Sequence, residues 1–177
     1  MSKNEKINAI RETNDEARAL ATRLMCEAVY GSIAVIDPDT SYPVVSRIAV
    51  GVMPSHSKTV PVMPMFLASD LSGHSKALVV DPRASVMFGE PKYTDKGVKG
   101  DALTYARVTM IGDVEKITRS HESYAARREF WLQKHPKSQL YIDFGDFNFY
   151  QLSVQKVALN GGFGKAFEMS GEDLLLS

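Results

Sequence analysis

Short β-branched runs punctuated by tight-turn signals fill the middle of this chain and favour hairpins over crossover connections. Ser32 to Ile36 is followed by Asp37-Pro38-Asp39, and Tyr42 to Val52 resumes with Val44, Val45, Ile48, Val50 and Val52. A gap this short closes an antiparallel pair, whereas a parallel crossover needs a dozen residues or more. Pro54 to Val60 reads as a loop, and Val62 to Ser69 as a third strand in which Pro64 suggests an edge position or a bulge. Gly73 to Val80 reads as a short helical turn ending at Asp81-Pro82, followed at once by a strand from Ala84 to Phe88. Glu90 to Gly100 is a lysine- and glycine-containing hairpin connection. Ala102 to Ile117 is expected as a long strand bent near Gly112, and Asn148 to Leu159 as the last strand.

Two longer helices flank these strands. Thr13 and Glu16 match a T-x-x-E capping box, and Ala17, Leu20, Ala21, Leu24, Met25 and Ala28 recur at helical spacing, with Gly31 as the expected stop. Ser120 to His135 is the second, ended by His135-Pro136. Residues 1–12 are polar and carry no such pattern, so the sequence divides into a polar extension, 1–12, and one domain, 13–177. The sum is a mainly β (α+β) chain of about six antiparallel strands with helices outside. A closed small barrel satisfies that pattern because closure removes exposed sheet edges. A lipocalin, an OB-fold and a sandwich satisfy it nearly as well.

Charge narrows the function classes. The 21 basic and 21 acidic residues cancel, which argues against a general nucleic-acid binder. One small phosphorylated ligand needs only a few local charges and stays open. The single cysteine, Cys26, leaves no intramolecular disulfide and reads as a half-buried thiol. No apolar run approaches the roughly 20 residues of a membrane span, and Met1 to Arg11 lacks the apolar centre of a signal peptide. A cytoplasmic protein with no membrane partner is expected. His56, His74, His121 and His135 lack metal-ligand spacing, so no metal site is expected.

No nucleophile motif, Walker loop or dinucleotide fingerprint occurs in context. Gly161-Gly162-Phe163-Gly164 reads as a tight turn. The segment Ser69-Asp70-Leu71-Ser72-Gly73-His74-Ser75-Lys76 is more informative. It places three hydroxyls, an imidazole and an ammonium where a strand gives way to a helical turn, and free N–H groups at such a helix start favour an anion. Arg47 and Arg107 stand in otherwise apolar strands, and a guanidinium suits a phosphate. A capped, solvated turn and solvent-facing arginines fit the same residues.

Several motifs together resemble one family. Ser69 to Leu78 followed by Asp81-Pro82-Arg83-Ala84-Ser85 resembles the S-x-L-x-x-H-T-x-N-L…D-P-R-x-S run of the FMN-binding split barrels related to pyridoxamine-5′-phosphate oxidase. Gly100 to Gly112, Phe144 to Tyr150, Gly161 to Ala166 and Tyr42 to Ser46 are similar to the signatures of its haem-utilisation branch. The resemblance spans the chain from the first helix to Ala166. It implies a six-stranded FMN-binding split β-barrel, a homodimer with FMN at its interface, and a small-molecule substrate. The matching phosphate residues are Arg47, Ser69, Ser75 and Lys76, with His74 nearby; Ser46 and Arg107 match positions near the flavin ring or ribityl chain. The sequence departs from the pattern at Ser75, where threonine is usual, and at Ala77, where asparagine is usual. No histidine follows His135, although the haem branch takes an iron ligand from a C-terminal segment. The resemblance thus implies first an FMN-dependent oxidoreductase, and second a non-catalytic flavin- or haem-binding protein.

Overall fold

The computed structural model describes residues 10–53, 62–91 and 93–174; the expected loop at Pro54 to Val60 lies outside them. The elements in chain order are β1 (Ile10–Arg11), α1 (Asp15–Glu27), β2 (Tyr30–Ile36), β3 (Pro43–Val52), β4 (Pro64–Ser69), α2 (Gly73–Val80) and β5 (Arg83–Phe88). They continue with β6 (Tyr93–Thr94), β7 (Gly97–Val98), β8 (Arg107–Ile117), α3 (Tyr124–Lys134), β9 (Phe147–Asn160) and β10 (Ala166–Ser170). Strands β9-β4-β3-β2-β5-β8 follow one another in space, and β8 pairs back onto β9, which closes an antiparallel six-stranded barrel. β10 and then β1 extend the sheet beyond β9, while β6 and β7 form a separate small hairpin.

The 14-residue β9 makes this topology possible. Its first part, Phe147 to Gln151, pairs with β4, its last part, Lys156 to Asn160, pairs with β10, and β8 runs along both parts. Between them the register shifts: Ile111 faces Lys156 but Gly112 faces Val154, so Gln155 is the extra residue of a bulge. The expected bend near Gly112 is therefore present. A Cβ there would stand 1.9 Å from the Ser153 carbonyl oxygen, which accounts for the glycine.

Alternation decides which side chains enter the barrel. Ile33, Val35, Ile48, Val50, Phe66, Val86, Phe88, Val108, Met110 and Leu159 are buried in one core, joined by Ala21 and Met25 of α1 and by Ala77 and Leu78 of α2. Burying each large apolar side chain contributes about 1.5–3 kcal/mol. A second core lies outside the ring, where Tyr124 and Trp131 of α3 cover Met65, Leu67, Ile117, Ile142 and Phe149.

Several boundaries differ from expectation for local reasons. α1 is capped by Asn14, whose side chain accepts from the Ala17 N–H at 2.9 Å, while the Thr13 hydroxyl donates to the Glu168 carbonyl. Asparagine is the stronger cap, and Thr13 is drawn away by β10. Gly31 does not stop the helix, which ends at Glu27. It lies inside β2, where a Cβ would come within 2.9 Å of the Met87 carbonyl. Pro64 opens an interior strand opposite Val52, and no edge is involved; the first position of a strand tolerates a missing N–H. Ala102 to Thr104 forms a 3-10 turn before β8, capped by Asp101. β10 is an addition to the expected strands, with Phe167 and Met169 buried at strand spacing. The glycine turn at 161–164 joins β9 to β10, with positive φ at Gly162 and Gly164.

Surface charge pairs make the fold modestly sensitive to acid. Hydrogen bonds from Arg83 hold the Asp81 carboxyl down to about 2, and hydrogen bonds from Arg128 hold Asp143 below its ordinary 3.8. The Ser170 backbone N–H foremost does the same for Asp173. Burial lowers His74 and His135 below their ordinary 6.5, so the unfolded chain takes up those protons first. Stability rises with pH wherever the unfolded state binds more protons. Urea midpoints are therefore expected to fall slightly as pH drops below 6.5, and further between 3.8 and about 2. A midpoint unchanged down to pH 2 would contradict these pairings.

Candidate functional site

The strand-to-helix turn at the end of β4 is built from its own hydroxyls. The Asp70 N–H donates to the Asp146 carbonyl at 2.7 Å, and the Ser69 hydroxyl donates to the Asp146 carboxylate. The Leu71 N–H donates to Ser69 Oγ at 3.1 Å. Ser72 is the N-cap of α2 and accepts from the Ser75 N–H at 3.4 Å. Its Oγ lies 2.8 Å from the Ser69 carbonyl, 2.7 Å from Ser75 Oγ and 3.2 Å from His74 Nε2. Serine suits each place, since its short side chain bonds the nearby backbone and so fixes the turn.

Beside the turn lies a cleft of about 260 Å³, bordered by Arg47, Ala49, Leu67, Ser69, His74 and Phe147. Arg47 lies over the Tyr30 ring at 5.3 Å and meets Glu90 at 3.5 Å. With 71% of its side chain exposed, such a pair contributes less than about 1 kcal/mol, so the guanidinium is available to an incoming anion. Burial holds His74 below its ordinary value, and the ring is neutral at pH 7.

The structure brings Arg47, Ser69 and His74 together and separates the others. Ser75 is 1% exposed and lies beneath the turn, hydrogen-bonded to Ser72, while Lys76 is exposed on α2. Ser46 faces Ile33 across β2, on the barrel-interior side of β3, opposite to Arg47. Arg107 stands at the far end of β9, in register with Asn160, and donates to the Leu103 carbonyl at 3.4 Å. It borders a second depression of about 330 Å³ with Thr109, Ala158 and Phe167.

Asp70 lies inside the serine-rich segment and is a hub whose partners no sequence motif marks. Burial opposes its ionisation, but hydrogen bonds from Lys116, Tyr150 and Asn148 outweigh it and hold the carboxyl below the usual range. The partners come from β8 and β9, far away in sequence, so only the strand register could reveal them.

Between cleft and Arg107 the outer sheet face carries mostly short side chains. Arg47, Ser32, Met87, Thr109 and Ala158 form one cross-strand row, and Val45, Ala34, Ser85 and Ile111 the next. Small residues dominate, and Val45 and Ile111 remain 70% and 41% exposed. A depression of about 330 Å³ sits on this face against Ala34, Ile36, Pro43, Ser85, Arg83 and Ile111.

A closed six-stranded barrel with added edge strands, an outside helix and a cleft at the β4–α2 turn defines the split-barrel class. The family described as CREG, beta-barrel matches residues 11–174, and the chain belongs to it. The resemblance to split barrels related to pyridoxamine phosphate oxidase holds as well. The non-canonical heme oxygenase HOZ, chloroplastic, of Arabidopsis thaliana is 32% identical over 109 residues, covering 62% of this chain and 30% of that protein. The structure of a heme binding protein from Mycobacterium smegmatis superposes with a TM-score of 0.76 at 27% identity, covering 92% of this chain and 61% of that one. Campylobacter jejuni ChuZ shares the fold, with a TM-score of 0.71 at 15% identity over 95% of this chain and 64% of that one. This chain thus spans less than two thirds of each of these relatives. Among the described residues no helix is long and apolar enough to cross a membrane.

Proposed function

We propose that this protein binds haem, laid on the outer sheet face between two copies of the chain, with an anionic group of the ring held in the Arg47–Ser69–His74 cleft. The observation that carries this reading is the short-side-chain, apolar outer face. Ala34, Ser32, Ser85, Thr109 and Ala158 keep long side chains off it, while Val45, Met87 and Ile111 leave it apolar. A planar apolar ring gains most from such a surface. Arg47, Arg83 and Arg107 stand at its margins, where the carboxylates of a haem need cations. The two relatives named for haem support the same choice. Bound haem supplies an iron centre for oxygen or electron chemistry, and the chain supplies the surface, the charges and the exclusion of water.

Arg47 on β3 and Arg107 on β8 support the two-copy arrangement. They stand three strands apart in the barrel, and a two-fold pairing that exchanges β3 and β8 sets each cleft against the other copy's Arg107. An exposed apolar face of this kind also needs cover in water.

A titration of the purified protein with hemin tests the reading. The expected result is a shifted, saturable Soret band in a species of twice the chain mass. FMN is the second reading, an FMN-dependent oxidoreductase acting on a small molecule, supported by the hydroxyl-rich turn and its cations. Unshifted hemin with retained FMN and quenched flavin fluorescence would replace the first reading by the second.

A further inference from the structure

The cleft beside the β4–α2 turn has two sides of different chemistry. Arg47, Ser69 and His74 make one side polar, and Leu67, Tyr141 and Phe147 make the other apolar. The Tyr141 and Phe147 rings pack at 5.0 Å and 43°, and Phe144 meets Phe147 edge-on at 6.3 Å. The three rings form one aromatic corner where the chain enters β9.

That corner is held in place before any ligand arrives. Arg119 donates to the Phe144 carbonyl at 2.6 Å, and Arg128 holds Asp143 through two hydrogen bonds of 2.9 and 2.6 Å. The Phe144 N–H donates to the Tyr141 carbonyl at 3.0 Å, and the Phe147 N–H to the Phe144 carbonyl at 3.1 Å. A ligand ring therefore meets rings that the fold has already ordered, which lowers the cost of binding. Neither Tyr141 nor Phe147 is fully buried, so each keeps surface for a further ring.

The polar side sets the charge of the ligand. Among the described residues that border the cleft, Arg47 alone carries a full positive charge, because the His74 ring is neutral at pH 7. Two carboxylates stand beside it: Glu90 meets Arg47 at 3.5 Å, and Asp146 accepts from the Ser69 hydroxyl. That bond spends the Ser69 proton. One negative charge matches Arg47, whereas a second would be repelled by Glu90 and Asp146. A carboxylate also suits the planar guanidinium fork. The volume of about 260 Å³ lies just below the usual range of about 300–1,000 Å³ for small-molecule pockets, so it suits a single ring rather than a fused system.

We propose that this cleft binds a one-ring aromatic monocarboxylate, with the ring against Tyr141 and Phe147 and the carboxylate on Arg47. The inference goes beyond the haem reading, since it needs neither the outer sheet face nor a second copy. It also ranks the anions: an aromatic carboxylate binds better than a saturated one, and either binds better than phosphate.

Benzoate titrated into the full chain without haem tests the site, read by NMR of the aromatic ring signals. Benzoate is expected to shift the Tyr141 and Phe147 rings saturably, with a Kd of about 1 mM. Cyclohexanecarboxylate has the same charge without the aromatic ring and is expected to bind about 5-fold more weakly. Inorganic phosphate is expected to bind more weakly still. Arg47→Gln is expected to weaken benzoate about 10-fold, and Phe147→Leu about 5-fold. The Arg47 side chain is 71% exposed, so Arg47→Gln keeps the fold even if Phe147→Leu loosens β9. No saturable shift of either ring at millimolar benzoate, or tighter binding of phosphate than of benzoate, would overturn the site. Equal binding of benzoate and cyclohexanecarboxylate would overturn the aromatic preference, and unchanged affinity in Arg47→Gln the role of Arg47. The readout uses no hemin, so its failure and the failure of the hemin titration are told apart.

Discussion

Gly112→Ala is expected to cost about 3 kcal/mol of folding stability, read as a lower urea midpoint and a melting temperature lower by about 6–12 °C. The added Cβ would stand 1.9 Å from the Ser153 oxygen and 2.9 Å from the Ser153 carbonyl carbon, with the Gln155 nitrogen at 3.2 Å. All three are backbone atoms of β9, so no side chain can swing aside. The seam between β8 and β9 must open, and it is the seam that closes the barrel. For a domain stable by about 5–15 kcal/mol that is a large share of the total. Gly73→Ala is the matched control. A Cβ there meets nothing within 4 Å, the residue is the first of α2, and a change within about 1 kcal/mol in the stabilising direction is expected. A Gly112→Ala midpoint within about 0.5 kcal/mol of wild type, the range of neutral surface changes, would contradict the bulge at Gln155.

That bulge also shows what pattern reading captures. The bend near Gly112 is visible in the sequence because a lone glycine inside a β-branched strand marks a bulge or a close backbone approach. Strand periodicity likewise locates β2, β3, β5, β8 and β9 to within a few residues, because their inner positions carry Ile, Val, Met and Leu in alternation. What it does not supply is closure. That β8 pairs both β5 and β9 depends on contacts between residues far apart in sequence, such as Val108 with Phe88 and with Leu159. β10 is hard to see because five residues with two buried side chains barely exceed chance alternation. Thr13 and Asn14 both have the chemistry of a cap, and a tertiary bond to Glu168 chooses between them.

The site is legible in one segment and hidden elsewhere. Ser69 to Lys76 stands out by its chemistry, and the structure places Ser69 and His74 at one cleft with Arg47. Position along the sequence says less about the remaining residues. Ser46 and Arg47 are neighbours that point to opposite faces, and Ser75 differs from Ser72 by one helical turn yet is buried beneath it. The outer face is the least legible feature. Its residues are small and ordinary, come from several strands, and acquire meaning only when register sets Ala34 beside Val45 and Ser85.

Ala34→Arg tests that face with the largest expected functional effect. Ala34 sits between Val45 and Ser85 at the floor of the apolar depression. A guanidinium projecting from there would be buried without a partner wherever a ring or a second copy covers the face, which costs several kcal/mol. Hemin affinity is expected to fall at least about 100-fold, equivalent to roughly 3 kcal/mol, and the dimer to dissociate at micromolar concentration in light scattering. The monomer should keep its melting temperature, since the outward side chain leaves the barrel core untouched. Val79→Arg, on a residue 77% exposed on α2, adds the same charge away from the face and should alter neither property. Loss of the dimer with hemin affinity intact would place the ring in the cleft of a single chain. Loss of hemin with the dimer intact would place the ring on the face but the partner elsewhere. Retention of both would remove the face from the binding site, leaving the Arg47–Ser69–His74 cleft to hold its anion alone.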